Sequence, residues 1–278
     1  MKVFKTKIEL LSYLNIYRAG KSIGFTPTMG ALHDGHLSLI KQSKKECDIT
    51  ICSIFINPTQ FNSTDDLLGY PKDLTLDLEK LNASKCDITY IPEVCDLYEK
   101  NEGAKKFDFG KLASSMEGKF RPEHFDGMAT VVEKLFQIIN PTKAFFGEKD
   151  LQHLQIVKQL VKQTKTSIEI IGGPTIRERN GLAKSSRNKL LSKKAVKEAT
   201  LIYKCLSYCA KNKEEGISKL KAFIEQQFKK EKKLTLEYVE FVSIKDMQPI
   251  EKWKGKHKNA ICIAAYINGV RLIDNIIL

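Results

Sequence analysis

The sequence predicts an α/β protein in which a doubly wound parallel sheet precedes a smaller C-terminal α+β domain. Three observations predict it. β-Branched runs alternate with helical periodicity from Ile23 to Ile171, the pattern of strands joined by crossover helices. Gly172-Gly173-Pro174 then interrupts the alternation, as Gly and Pro clusters punctuate chains. Further on, Asn268-Gly269 separates two apolar runs, a strong signal for a tight hairpin. The expected domains are residues 1–174 and 175–278, since this length exceeds one typical domain.

Each element follows from local pattern. Thr6 and Glu9 form a capping box ahead of Ile8, Leu11 and Leu14, which predicts a helix from Thr6 to Arg18. Ile23 to Thr26 reads as a short strand, and a helix opens at Gly35 or His36 and runs to Lys45. Asp48 to Ile56 is rich in β-branched residues and reads as a buried strand. Leu74 to Leu81 is helical, Asp87 to Ile91 a strand, Val131 to Ile139 helical, Lys143 to Phe146 a strand, and Leu151 to Gln163 helical. Ser167 to Ile171 closes this Rossmann-like series. Such sheets bind ligands beyond the carboxyl ends of their strands. In the second portion, Ser192 to Cys209 and Glu215 to Lys229 read as helices. Leu234 to Ser243, Ile261 to Ile267 and Val270 to Ile276 read as strands, and Asn101 to Phe109 as a loop.

The net charge of +13 points to an anionic partner: nucleic acid, an acidic membrane, or a phosphorylated small molecule. Most of the lysines are spread along helices. The dense run Lys229, Lys230, Lys232 and Lys233 has no interleaved aromatics on which bases would stack. No specific nucleic-acid partner is therefore expected. Met1 to Lys5 lacks a signal-peptide core, and no apolar run is long enough to span a bilayer. A soluble, cytoplasmic protein without a membrane partner is expected. The seven cysteines are odd in number and form no CxxC pair, so free thiols are expected rather than zinc ligands.

Four constellations carry chemistry. The first is Pro27-Thr28-Met29-Gly30-Ala31-Leu32-His33-Asp34-Gly35-His36, between a strand and a helix, where helix N-termini receive phosphate. Gly30 and Gly35 would admit a ligand close to backbone amides, and the two imidazoles would donate to charge developing on a phosphate. Alone, HxGH could be a glycine turn with two surface histidines; its setting favours phosphate. The second, Asn57-Pro58-Thr59-Gln60-Phe61, follows a strand and puts an amide at its carboxyl end. Alone it would be an ordinary turn. The third, Gly147-Glu148-Lys149-Asp150, joins a strand to a helix. Its Lys149 can neutralise phosphate, or the motif can be a solvated helix start. The fourth is Leu182-Ala183-Lys184-Ser185-Ser186-Arg187-Asn188, whose hydroxyls and cations suit a triphosphate.

The HxGH string resembles the HIGH signature of nucleotidylyl transferases and class I aminoacyl-tRNA synthetases. The longer FTPTMGALHDGH, with NPTQF, EGKFRPEHF, GEKD and SSRN, resembles the pantothenate synthetase family from about Phe25 to Asn188. The resemblance implies adenylation of pantoate by ATP, then attack by β-alanine. It implies ATP contacts at Met29, Gly30, His33, His36, Gly147, Lys149, Asp150, Ile176, Lys184, Ser185, Ser186 and Arg187, with His33, His36 and Lys149 catalytic. It assigns pantoate or β-alanine to Pro27, Met29, Asn57, Gln60, Phe61, Arg121 and His153, with Val131 and Val132 in the apolar wall. Glu117 joins the polar network, Asp77 holds Mg²⁺ (or is a solvated helix carboxylate), and the assembly is a homodimer. His153 departs from the family, which has a pantoate-binding Gln there; Lys72 replaces an Arg, and Lys184 a Met. Two other readings stay open: another nucleotidylyl transferase, or a nucleic-acid-binding module.

Overall fold

The computed structural model describes residues 1–253, 255 and 258–278. The first portion contains β1 (Lys2–Phe4), α1 (Lys7–Tyr17), β2 (Ile23–Thr28), α2 (Asp34–Glu46), β3 (Ile49–Ile54), α3 (Thr64–Leu68), α4 (Leu74–Ala83) and β4 (Ile88–Tyr90). It continues through α5 (Val94–Leu97), α6 (Met116–Phe120), α7 (His124–Ile139), β5 (Lys143–Gly147), α8 (Leu151–Thr164) and β6 (Glu169–Gly173). The second portion contains α9 (Lys193–Lys211), α10 (Ile217–Lys230), β7 (Leu234–Ser243), β8 (Gln248–Pro249), β9 (Asn259–Ile267) and β10 (Val270–Ile277).

Six parallel strands form one sheet in the order β1-β4-β3-β2-β5-β6. The order runs outward from β2 through β3 to β4, and the other way from β5 to β6. The winding therefore reverses between β2 and β5, and at such a point the crossover connections diverge and leave a crevice. The HxGH loop leaves the end of β2 and the GEKD turn leaves the end of β5, so both flank that crevice. One face of the sheet is covered by α1, α7 and α8 through Leu10, Leu14, Leu135, Ile139, Val157 and Leu160. The other carries α2 and α4 through Leu39, Ile40 and Leu81.

The second sheet is antiparallel, in the order β10-β9-β7-β8, with α9 and α10 packed on one face through Ile202, Leu206, Leu220 and Ile224. Asn268 and Gly269 both have left-handed φ, +49° and +78°, as a two-residue turn between twisted strands requires. A smaller apolar cluster ties the portions together: Met116 and Leu151 pack with Tyr238, Val242, Met247 and Ala260.

Several elements differ from the sequence reading. β1, the short helices α3, α5 and α6, and the two-residue strand β8 were not expected. Helix α7 begins at His124 rather than Val131. His124, Phe125 and Gly127 are buried, and a Cβ on Gly127 would lie 2.1 Å from the Thr59 carbonyl oxygen. Close approach to the NPTQF turn, which no periodicity reports, fixes that first turn.

Within residues 175–278, an ion pair ties the segment after β6 to β10. Arg177 Nη1 and Nη2 lie 2.6 and 3.0 Å from the two oxygens of Asp274, which is 4% exposed. Removing one member strands the other's charge away from water. Arg177→Ala is expected to cost about 3–5 kcal/mol, read as a lowered urea midpoint. An unchanged midpoint would show that Asp274 finds another partner.

Candidate active site

A cavity of about 700 Å³ opens at the reversal point. It is lined from β2 and its loop by Pro27, Met29, His33, Gly35 and His36, and from the β5 turn by Gly147, Lys149 and Asp150. Gln60 and Phe61 enter after β3, Val131 and Val132 from α7, and Ile176, Lys184, Ser185, Ser186 and Arg187 from beyond β6. Motifs far apart in sequence thus share one cavity.

The two histidines cap α2. His33 Nδ1 accepts the Gly35 N–H at 3.1 Å, and His36 Nδ1 accepts the His33 N–H at 3.4 Å. Their rings stack at 4.0 Å between centroids. A Cβ on Gly35 would stand 2.8 Å from His33 Cε1, so the glycine makes room for the imidazole. Burial, then His36 and Lys149, lowers His33 to about 2. Burial lowers His36 to about 4, against the opposing pull of Asp150. Neutral rings whose Nδ1 atoms accept must carry their protons on Nε2. Each histidine is therefore an uncharged donor, a form suited to oxyanions without proton loss.

Around them stand three cations, each beside a carboxylate. Lys149 Nζ lies 3.4 Å from Asp150, Lys184 pairs with Asp34 and Glu178, and Arg187 forks onto both oxygens of Asp66. Asn275 Nδ2 donates to the carbonyls of Glu148 and Lys149 at 2.9 and 2.8 Å. Strand β10 thereby holds the GEKD turn. Ser186 Oγ donates to the Ala31 carbonyl at 3.1 Å and joins the SSRN segment to the HxGH loop.

The opposite wall is apolar with a few polar groups. Arg121 Nη1 lies 3.1 Å from His124 Nε2, and His124 Nε2 lies 2.8 Å from His153 Nε2. Burial would raise Glu117, but the forked Arg271 and nearby Arg121 hold it down at about 2. Arg271 donates to the Glu117 oxygens at 2.8 and 2.7 Å, and Tyr238 donates to Oε1 at 2.8 Å.

Comparison with known proteins agrees with this arrangement. The family model for pantoate–β-alanine ligase matches residues 2–277. The chain belongs to the pantoate–β-alanine ligase family. It is 45% identical to the pantothenate synthetase of Christiangramia forsetii, over 100% of this chain and 99% of that one. The Flavobacterium psychrophilum pantothenate synthetase is 43% identical over 99% of each. The Thermus thermophilus pantothenate synthetase structure superposes with a TM-score of 0.92 at 33% identity, covering 99% of each chain. A Francisella tularensis pantoate–β-alanine ligase, complexed with β-γ ATP and β-alanine, gives 0.84 at 37% identity, covering 99% of this chain and 97% of that one. Members of this family are ligases, and this chain is one.

Several expected site residues lie behind the cavity wall. Asp77 does not line the cavity: it is 1% exposed, and its two oxygens accept the N–H groups of Ala31 and Leu32 at 2.7 Å each. That occupies the carboxyl and makes it an anchor for the loop. Gly30 is buried with its N–H on Thr28 Oγ1, and the Gly35 N–H is on His33, so neither amide is free for a ligand. Asn57 is 1% exposed and orients Gln60 instead of lining the cavity, its Nδ2 lying 3.1 Å from Gln60 Oε1. Lys72 is exposed and also lies off the cavity.

Sequence reasoning missed Arg271, Asp274 and Asn275 on β10, Asp66 on α3, and the wiring of His124. The available signal was the Asp274-Asn275 pair inside the otherwise apolar run Leu272 to Ile277. Adjacent polar residues there break the alternation of a half-buried strand.

Buried imidazoles and a paired carboxylate make stability depend on pH. His33, His36, His124 and His153 are all held below the ordinary 6.5. The unfolded chain therefore binds protons that the folded chain refuses. Stability should be full above about pH 6.5. It should fall towards the folded values, about 4 for His36 and about 2 for His33. Glu117, held at about 2, adds a loss below the ordinary carboxylate range. Urea midpoints measured from neutral to acid pH should fall; a flat or rising series would refute the assignment.

Proposed function

We infer that this chain joins pantoate to β-alanine at the expense of ATP, releasing AMP and pyrophosphate. One observation carries the reading. A single cavity places neutral imidazole donors and three cations against one end, and an apolar wall with Gln60 and His153 against the other. The first end suits a triphosphate. The second suits a small hydroxy acid with methyl groups. The homologous Francisella ligase, complexed with β-γ ATP and β-alanine, supports two of the three substrates.

The chemistry proceeds in two steps. The pantoate carboxylate attacks the α-phosphorus of ATP, and pyrophosphate leaves with the bond it breaks. The β-alanine amine then attacks the acyl carbon of the adenylate, AMP leaves, and the attacking nitrogen sheds its proton. No protein nucleophile takes part. His33 and His36 donate to the charged phosphate oxygens, Lys149 neutralises them, and Lys184, Ser185 and Arg187 close over the leaving pyrophosphate. Alignment of acid and phosphorus supplies much of the acceleration. Among the described residues no cluster of three or more His, Cys, Asp or Glu is placed to hold a metal. Mg²⁺ is accordingly assigned to the ATP phosphates, as this ion prefers few carboxylates plus phosphate oxygens.

We assign residues 1–174 to the catalytic domain and residues 175–278 to a covering domain, and propose a cytoplasmic homodimer without specific nucleic-acid binding. No helix among the described residues is long and apolar enough to cross a membrane.

The test separates the half-reactions. With pantoate and Mg²⁺ but no β-alanine, labelled pyrophosphate should exchange into ATP. Formation of ADP instead would replace the adenylate with an acyl phosphate. His36→Ala and Lys149→Ala should each slow exchange roughly a hundredfold to a thousandfold; Lys149→Ala should leave the urea midpoint near wild type, and His36→Ala should lower it by a lost cap contact, about 1 kcal/mol. Near-normal exchange in either variant would remove that residue from the chemistry.

A further inference from the structure

Lys184 stands at the phosphate end with more negative charge around it than it can neutralise. Its ammonium pairs with Asp34 and lies 3.1 Å from Glu178. A single cation between two carboxylates leaves one negative charge over. The place of this cluster matters. Lys184 lines the cavity, and its charge is among those that, after burial, hold His33 neutral. An ammonium has three N–H donors. The carboxylates take two, and the third can meet an incoming phosphate oxygen before either carboxylate is released.

The two carboxylates are not equivalent. Glu178 belongs to the same small hairpin as Lys184. There the Lys184 N–H donates to the Ile176 carbonyl at 2.9 Å, the Glu178 N–H donates to that of Leu182 at 2.8 Å, and Arg177 bridges Ala183. Glu178 therefore travels with the lysine. Asp34 lies in the first turn of α2 and reaches Lys184 from the other portion of the chain. The Asp34 side chain is 63% exposed, against 42% for Glu178, so Asp34 returns to water at less cost when it is displaced. The hairpin pins the backbone of Lys184, while its four-carbon stem lets the ammonium swing. Arg187 differs. Its guanidinium forks onto both oxygens of Asp66 and lies over the Tyr70 ring, 5.7 Å from the centroid. A planar fork is fixed by its partner, whereas an ammonium is a mobile point charge.

We propose that Asp34 is the internal counter-ion of Lys184 and a positioning residue for the leaving group: Lys184 passes from Asp34 to the β- or γ-phosphate when ATP binds, stays on Glu178, and is reclaimed by Asp34 as pyrophosphate departs. The inference rests on the ATP reading above and deepens it. No covalent bond changes in the exchange, and the lysine keeps its proton. Its pairing with Asp34, against burial, and then with Glu178 raises its affinity for that proton. The consequence falls on the product. Once the bond to the α-phosphorus is broken, pyrophosphate has lost its tether to the adenosine and is held by the cations alone. A carboxylate within reach of one of them keeps that hold weak. The family commonly has Met at position 184, which has no charge to hand over, so the pairing belongs to this chain's own sequence.

Titration of pyrophosphate with Mg²⁺ into the whole enzyme reads the exchange without turnover. Asp34→Asn removes the competing charge and should tighten pyrophosphate about two- to fivefold, the scale of a partly exposed ion pair. Binding of AMP, which has no β- or γ-phosphate, should not move. Asp34→Glu keeps the charge and should resemble wild type. In Lys184→Met, adding Asp34→Asn should change nothing further. The gap between Asp34→Asn and wild type should close in about 1 M salt, where exposed charges are screened. Unchanged or weakened pyrophosphate binding in Asp34→Asn overturns the proposal. So does a tightening that persists in Lys184→Met or extends equally to AMP. Exchange of pyrophosphate into ATP by wild type, measured alongside, separates two failures. Absence of exchange removes the ATP reading and the proposal with it, whereas exchange with an unresponsive Asp34→Asn removes the counter-ion role alone.

Discussion

The site depends first on a buried carboxyl group that touches no ligand position. Asp77 on α4 accepts the amides of Ala31 and Leu32 at the point where the chain turns out of β2. Ala31 sits there with φ +49°, a left-handed conformation that costs a residue with a side chain about 1 kcal/mol or more. Two short hydrogen bonds to a buried acceptor offset that cost. Lys80, one turn further along α4, donates to the Leu32 carbonyl at 2.6 Å, and Ser186 donates to that of Ala31. With the loop fixed, His33 has one position from which to cap α2, and His36 follows because its Nδ1 must meet the His33 amide. The tautomers of both catalytic candidates are thus consequences of a carboxyl on another helix.

A second constraint acts from the C-terminal sheet. Asn275 grips the two carbonyls of the GEKD turn, the neighbouring Asp274 is locked to Arg177, and Arg271 on the same strand forks onto Glu117. One strand therefore braces the phosphate end and the acid end of the cavity together. This arrangement gives the small sheet a mechanical part in the site, because a shift of β10 along its axis would move Lys149 and Glu117 in concert. Shared bracing of this kind preserves alignment, which is where a reaction without a covalent intermediate gains most.

The main body of the fold was legible because its elements carry strong local signals. β3 is a β-branched run, α1 has a capping box, and the β9–β10 turn is Asn-Gly. The motifs were legible as strings, and their convergence followed from strand order at the reversal point. What was not legible is the division of labour within a motif. Gly30, Asn57 and Asp77 look like ligand contacts because they neighbour such contacts in sequence, yet each faces inward and holds a neighbour. That distinction is set by side-chain direction and by partners tens of residues away, such as Gly127 for Asn57 and Ala31 for Asp77. The β10 residues were hidden for the same reason: their partners lie more than ninety residues away in the chain.

The carboxylates beside the cations bear on which ligand can enter. Lys184, Arg187 and Lys149 are each matched by an acidic group that is itself partly exposed. Such pairs keep long side chains in place at little net energy, since partly exposed ion pairs are worth about 1 kcal/mol or less. A ligand that binds here must exchange carboxylate for its own oxygens. A single negative charge gains little from that exchange, because it replaces one anion with another. A triphosphate can meet several cations at once, and charge-assisted contacts to phosphate are stronger than those to neutral groups. The acidic neighbours therefore leave the site weakly attractive to stray monoanions and favour ligands whose charge is concentrated along a chain. Asp34 lies in the first turn of α2 and Asp66 on α3, so the exchange would act on two separate elements around the cavity.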